Sequence, residues 1–237
     1  MAEEQFVIPG ADFSRLDLTP GAWCRYLVVD MALGIVDSTE IYIAVPSHCN
    51  TPSGGAYWVE IESKPAGAGV EDSELFRLLV SEAITRASPQ DSLVDYVLEF
   101  YIKKGSDSIK AEEPARLRDF PLGPNADSEW ALVPGVTVST PAGDFSCEEK
   151  SRSIVHEKEI PTGRVKLVEK RNDRWTVWFS QGVPIFHLVR CSIERSKETE
   201  TVPAIPGIPS SGKRESQTVA ELVGFGYDAE PIISVDP

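Results

Sequence analysis

Residues 163–194 decide the fold: GRVKLVEK (163–170), RND (171–173), RWTVWFS (174–180), QGVP (181–184) and IFHLVRCSIE (185–194). Three runs rich in β-branched and aromatic residues follow one another with gaps of three and four residues. Gaps that short permit hairpins but not the crossover that a parallel pair requires. The runs therefore predict consecutive antiparallel strands with a turn at RND.

The same grammar runs through most of the chain. Residues 21–30 (GAWCRYLVVD) and 38–45 (STEIYIAV) flank Gly34 and predict a hairpin. Residues 46–55 (PSHCNTPSGG) have the composition of a loop. In residues 56–62, Tyr57, Val59 and Ile61 alternate with Trp58, Glu60 and Glu62. That predicts a half-buried strand whose glutamates face water. Residues 93–103 (LVDYVLEFYIK) place Val94, Tyr96, Leu98, Phe100 and Ile102 on one face, a pattern for a strand inside the sheet. Residues 136–139 and 145–151 predict strands around the turn TPAGD. Residues 71–87 fit helical and strand periods equally.

The predicted fold class is mainly β: a large curved antiparallel sheet, an open half-barrel, with a few short helices or loops covering its concave face. Residues 1–200 are assigned to a single half-barrel domain and 201–216 (TVPAIPGIPSSGKRES) to a Pro/Gly/Ser-rich loop. Residues 217–237 are assigned to a last strand or short helix with a tail that packs back on the same domain.

Composition narrows the partners. The formal net charge of −14 opposes sequence-independent nucleic-acid binding, which depends on neutralising phosphates. It opposes electrostatic docking on anionic lipid for the same reason. No run approaches the ~20 apolar residues of a membrane span. The opening MAEEQFVIPG has neither the basic nor the apolar region of a signal peptide.

Chemical motifs are sparse. The three histidines are His48, His156 and His187, and the spacing of the four cysteines fits no zinc motif. His187 and Cys191 would lie ~13 Å apart on one strand, too far for a nucleophile and its base. With no nucleophile, base or metal set in view, the residues predict a non-enzymatic protein without metal or cofactor. Cys24, Cys147 and Cys191 each sit inside a β-like run and read as small buried thiols; Cys147 and Cys191 fall on apolar parities of neighbouring runs, and in an oxidising compartment they are the pair that could bridge. The remaining feature is apolar surface: Tyr57, Val59, Tyr96, Leu98, Phe100, Trp175, Val177 and Phe179. It is either ordinary core or the lining of a groove for a lipid, an acyl chain or an apolar peptide.

Four segments carry a family resemblance. They are Gly21-Ala22-Trp23, YWVEI at 57–61, VWFSQGVPIFHLVR at 177–190, and the closing Gly224-Phe225-Gly226-Tyr227-Asp228-Ala229. Together they resemble exported bacterial proteins similar to the LolA/LolB-like lipoprotein carriers. The resemblance implies an open, twisted half-barrel, and it favours a strand at residues 76–80. It also implies a periplasmic or cell-envelope location, with any signal segment outside this sequence; a cytoplasmic location stays open. Carriers of this kind hold a lipid or acylated ligand and have no catalytic residues. An adaptor that binds another protein through a sheet edge or the Pro-rich loop is the alternative use of such a build.

Overall fold

The computed structural model describes residues 9–10, 16–86, 93–115, 130–162, 165–202 and 211–233. Eleven strands form one antiparallel sheet. In chain order they are β1 (Trp23–Ala32), β2 (Ile35–Thr51), β3 (Gly54–Pro65), β4 (Glu74–Ser81), β5 (Val97–Lys104), β6 (Lys110–Glu112), β7 (Ala131–Thr140), β8 (Gly143–Thr162), β9 (Val165–Phe179), β10 (Leu188–Val202) and β11 (Ser211–Gly226). Across the sheet the order is β6-β5-β4-β3-β2-β1-β11-β10-β9-β8-β7, and it does not close into a barrel. The two halves are meanders joined where β1 pairs with β11. The sheet curls strongly enough for the Phe145 ring to reach within 5.8 Å of Phe225. Short 3-10 turns lie at Val70–Asp72, Glu82–Arg86 and Leu93–Tyr96.

The predicted hairpin around Gly34 is present as β1 and β2, paired from Trp23↔Ala44 to Ala32↔Ile35. Residues 76–80 lie in β4, as the resemblance implied. Strand β2 runs on through most of the predicted loop at 46–55. Pro46 falls at a register shift between Ala44 and Ser47, where a missing N–H breaks no ladder bond.

The predicted turn at RND is absent, and residues 165–179 form one strand. Arg171 and Asp173 share a strand face, and the guanidinium donates to the carboxylate through two bonds of 2.9 and 2.6 Å. The polar run is thus satisfied within extended backbone. Opposite charges also line the long ends of β8 to β10, with Lys166–Glu159 at 2.8 Å and Lys197–Glu169 at 2.7 Å. Such pairs let strands run past the core with both faces in water. Of the predicted loop at 201–216, Ser211 to Ser216 belong to β11, and residues 203–210 lie outside the described residues.

One interior collects the apolar side chains. Tyr26, Ile43, Leu78, Val177, Cys191 and Leu222 are all buried in a single cluster. Cross-strand neighbours Val59, Leu78 and Phe100 form one row through β3, β4 and β5. Phe100 is 2% exposed and stacks on Phe76 with centroids 6.3 Å apart.

Strand β5 corrects the reading of residues 93–103. Residues 93–96 form a 3-10 turn, and β5 begins at Val97. Leu79 faces Glu99 while Val80 faces Val97, which leaves Leu98 as the extra residue of a bulge. The bulge resets the alternation: Val97 and Phe100 point inward, while Leu98 is 40% exposed. Leu98→Ala should therefore change stability by less than about 0.5 kcal/mol, and Phe100→Ala should cost about 3–5 kcal/mol. Urea unfolding of the two variants checks this. Equal losses would refute the bulge.

Candidate functional site

The concave face is covered by the chain itself. Residues 183–186, between β9 and β10, run through the interior, with Val183 at 0% and Ile185 at 1% exposure. An apolar segment can enter a core only if its peptide groups find partners there. The Cys24 thiol donates to Pro184 O at 3.3 Å, and the Tyr26 hydroxyl donates to Leu188 O at 3.0 Å. The Asp17 N–H donates to Ile185 O at 2.7 Å. His187 Nδ1 lies 2.6 Å from Val183 O, so that ring nitrogen carries the proton. Ile185 (φ 68°) and His187 (φ 56°) both adopt left-handed backbone. For β-branched Ile185 that is a strained conformation, held in place by the packing around it. Residues 9–10 add a second cover: a Cβ on Gly10 would sit 2.8 Å from Cys191 Sγ and 3.2 Å from Val177.

The predicted site residues separate accordingly. Val59, Phe100, Val177 and Phe179 are buried together in the core cluster, with Tyr57, Tyr96 and Trp175 packed at its margin. Leu98 points away from them. Trp175 lies 5.8 Å from the Arg152 guanidinium, which also lies 4.5 Å from the Trp130 ring. Phe179 has the Lys150 ammonium 5.6 Å from its centroid.

All four cysteines are free thiols; Cys24, Cys147 and Cys191 are buried, and the possible Cys147–Cys191 bridge is not formed. Cys191 faces Val177, Val177 faces Lys150, and Cys147 lies three residues further along β8. Two strand spacings and three residues of rise put the Cα atoms ~14 Å apart, twice the reach of a disulfide. Burial pushes the Cys24 and Cys191 thiols up to about 12, and it raises that of Cys147 as well. None of the three is a ready nucleophile at neutral pH. Among the described residues no three His, Cys, Asp or Glu side chains gather as a metal site.

An open cleft of about 710 Å³ lies elsewhere, beside the tip of the β1–β2 hairpin. Met31, Leu33, Ile35 and Val36 supply its apolar wall, and Arg174, Glu194, Arg195, Lys213 and Glu215 supply a polar one. Leu33 is 75%, Ile35 63% and Val36 65% exposed. Leu33 (φ 53°) and Gly34 (φ 80°) make the two-residue turn. A turn with both central residues left-handed favours Asn-Gly, so leucine here is unfavourable for both backbone and solvation. On the polar wall Arg195 donates to Thr218 Oγ1 at 3.3 Å, and Thr218 in turn donates to Asp30. Lys213 pairs with Glu215 at 2.6 Å.

A second cluster, missed in the sequence, lies on the outer face of β3 and β4. Glu60 is fully buried, not solvated, and pairs with Arg77 at 3.1 Å. The Arg77 guanidinium stacks 4.3 Å from the Trp58 centroid. Burial raises the Glu60 carboxyl above its usual range, opposed by the Ile232 N–H and by Arg77. The strand's alternation held no sign that residues from the far end of the chain would cover this face.

No family model matches the chain, and no curated protein sequence matches it. Among solved structures it is similar to a candidate lipoprotein from Parabacteroides distasonis, 14% identical, covering 92% of this chain and 100% of that one, with TM-score 0.37. A candidate exported protein with a YmcC-like fold from Bacteroides fragilis is 13% identical, covering 94% and 100%, with TM-score 0.36. A DUF1329 family protein from Desulfovibrio piger is 10% identical, covering 87% and 85%, with TM-score 0.29. Likenesses this distant leave the site to its own geometry.

The thiol assignment has a direct check. Labelling the native protein at pH 8 with a thiol reagent should modify Cys49 first and leave Cys24 and Cys191 unreacted. After unfolding without reductant all four should label. Two labelled thiols would indicate a bridge.

Proposed function

We propose that this chain is a non-catalytic binding protein of the cell envelope that holds an amphipathic ligand, a lipid or an acylated molecule, in the cleft at the β1–β2 tip. The observation that carries this reading is the run of exposed apolar side chains at Leu33, Ile35 and Val36 along that cleft. Single exposed apolar residues are ordinary, but a cluster that rims a cavity marks a binding surface. Its volume falls within the ~300–1,000 Å³ usual for small-ligand sites. An acyl chain would lie on the hairpin wall, and an anionic or hydroxylated head would face Arg174, Arg195 and Lys213. The resemblance to exported carriers supports the envelope location and the ligand class. The site differs from the interior groove that the resemblance implies, because residues 183–186 fill that interior.

A protein partner is the second reading. Strand β7 is one end of the sheet and carries exposed Leu132 and Val133 beside Pro134 and Gly135. An adaptor would use such an edge, although proline and a local irregularity there discourage plain strand addition.

Titration with a fluorescent fatty-acid probe separates the two. The wild type should bind it, and Leu33→Asp and Ile35→Asp should each weaken binding by about tenfold or more. Both positions are exposed, so thermal midpoints should hardly move. A wild type that ignores the probe would leave the adaptor reading in its place, and variants that bind it as well as the wild type would put the ligand away from the hairpin tip.

A further inference from the structure

Two segments from opposite ends of the chain, Gly21-Ala22-Trp23 and Gly224–Ala229, meet on the outer face of the sheet. Trp23 Nε1 donates to Asp228 Oδ1 at 2.7 Å, and the Ala229 N–H donates to Gly21 O at 2.8 Å. Glycines clear the path. A Cβ on Gly21 would meet Tyr227 O at 2.6 Å, and one on Gly226 would meet Trp23 Nε1 at 2.6 Å. Residues 227–233 then cross to β3 and β4, where the buried Glu60–Arg77 pair waits.

The contacts at that pair are to main chain. The Ile232 N–H donates to Glu60 Oε2 at 2.7 Å, and Arg77 donates to Ile233 O. Ile232 is 44% exposed, so the pair grips the peptide group rather than the side chain. Trp58 fixes the guanidinium from behind, and the Trp58 ring lies 6.1 Å from that of Tyr101. Arg77 Nε is buried with no hydrogen-bond partner. Burying a carboxylate and a guanidinium costs several kcal/mol in desolvation, which a hydrophobic pair of the same size would avoid. Stability alone is a poor reason to hold two charges here. A clamp that reads the N–H of one residue and the carbonyl of the following residue needs both.

We propose that Glu60, Arg77 and Trp58 form a docking site for an extended peptide, occupied in this chain by residues 227–233 and able to take the same segment from a second copy of the chain. Every copy carries a segment that fits, and exchange between copies needs no contact that the single chain does not already make. Within one copy the tether gives its own segment a high effective concentration, so exchange stays suppressed until that segment is released.

The test uses the full chain and a labelled synthetic peptide, Tyr-Asp-Ala-Glu-Pro-Ile-Ile, the sequence of residues 227–233. Ile232→Pro removes the N–H that Glu60 accepts and releases the chain's own segment. The peptide should bind this variant at least about tenfold more tightly than it binds the wild type, the scale of losing one charge-assisted hydrogen bond. Adding Glu60→Met and Arg77→Met together removes the clamp without stranding either charge, and should abolish binding. No peptide binding to a folded Ile232→Pro variant, or equal binding to that variant and the wild type, overturns the proposal. So does undiminished binding to the triple variant. The first comparison decides without the second if the triple variant does not fold. The fatty-acid titration reports on a different end of the sheet, so the two proposals fail independently.

Discussion

Among the described residues the helical elements beside the sheet are short turns, and residues 183–186 cover its apolar concave face. The rest of the interior is arranged around that entry. Cys24, Tyr26 and Asp17 supply donors to carbonyls that would otherwise be stranded in an apolar core, where an unpaired peptide group costs about as much as a lost hydrogen bond. The backbone accepts left-handed φ at Ile185 and His187 to make the path. β10 absorbs its own irregularity between Leu188 and Arg190, which buries Val189 as well. Conformational strain of this kind persists only where the surrounding packing outweighs it.

Closing the interior moves the question of function to the surface. The side chains that look most like a ligand-binding stripe in the sequence, Phe100, Val177 and Phe179, are buried in the core cluster. The tip of the β1–β2 hairpin keeps three apolar side chains, Leu33, Ile35 and Val36, exposed beside a cleft. The polar ends of β8 to β10 show the opposite treatment, with cross-strand ion pairs on strands that project past the core. A leucine at the turn of β1–β2, in a backbone conformation that suits asparagine or glycine, stands out against that background.

Much of the fold was legible in the residues. The alternation in 174–180, the hairpin about Gly34 and the succession of short gaps each follow from the period-two geometry of strands, which a single chain displays locally. Features set by distant partners were not legible. RND has turn composition, yet Arg171 and Asp173 satisfy each other in extended backbone. Leu98 fits an unbroken alternation, and only its neighbour β4 reveals the extra residue. Glu60 alternates like a solvated carboxylate, but residues 232 and 233 and Arg77 cover it. The cleft was missed because it depends on where β11 passes the hairpin tip. The signal that could have found it was present: Leu33 sits in the turn, flanked by Met31, Ile35 and Val36, where a hairpin tip usually carries polar residues.

The central claim is that the interior is closed core and that the ligand surface lies at the hairpin tip. Methyl NMR during titration with a medium-chain fatty acid tests it most directly, since Leu33, Ile35 and Val36 report on the tip while Val183 and Ile185 report on the interior. The account predicts that the tip methyls shift progressively and the interior methyls stay in place. Shifts at Val183 and Ile185 with the tip unmoved would contradict it, and would mean that the ligand displaces residues 183–186.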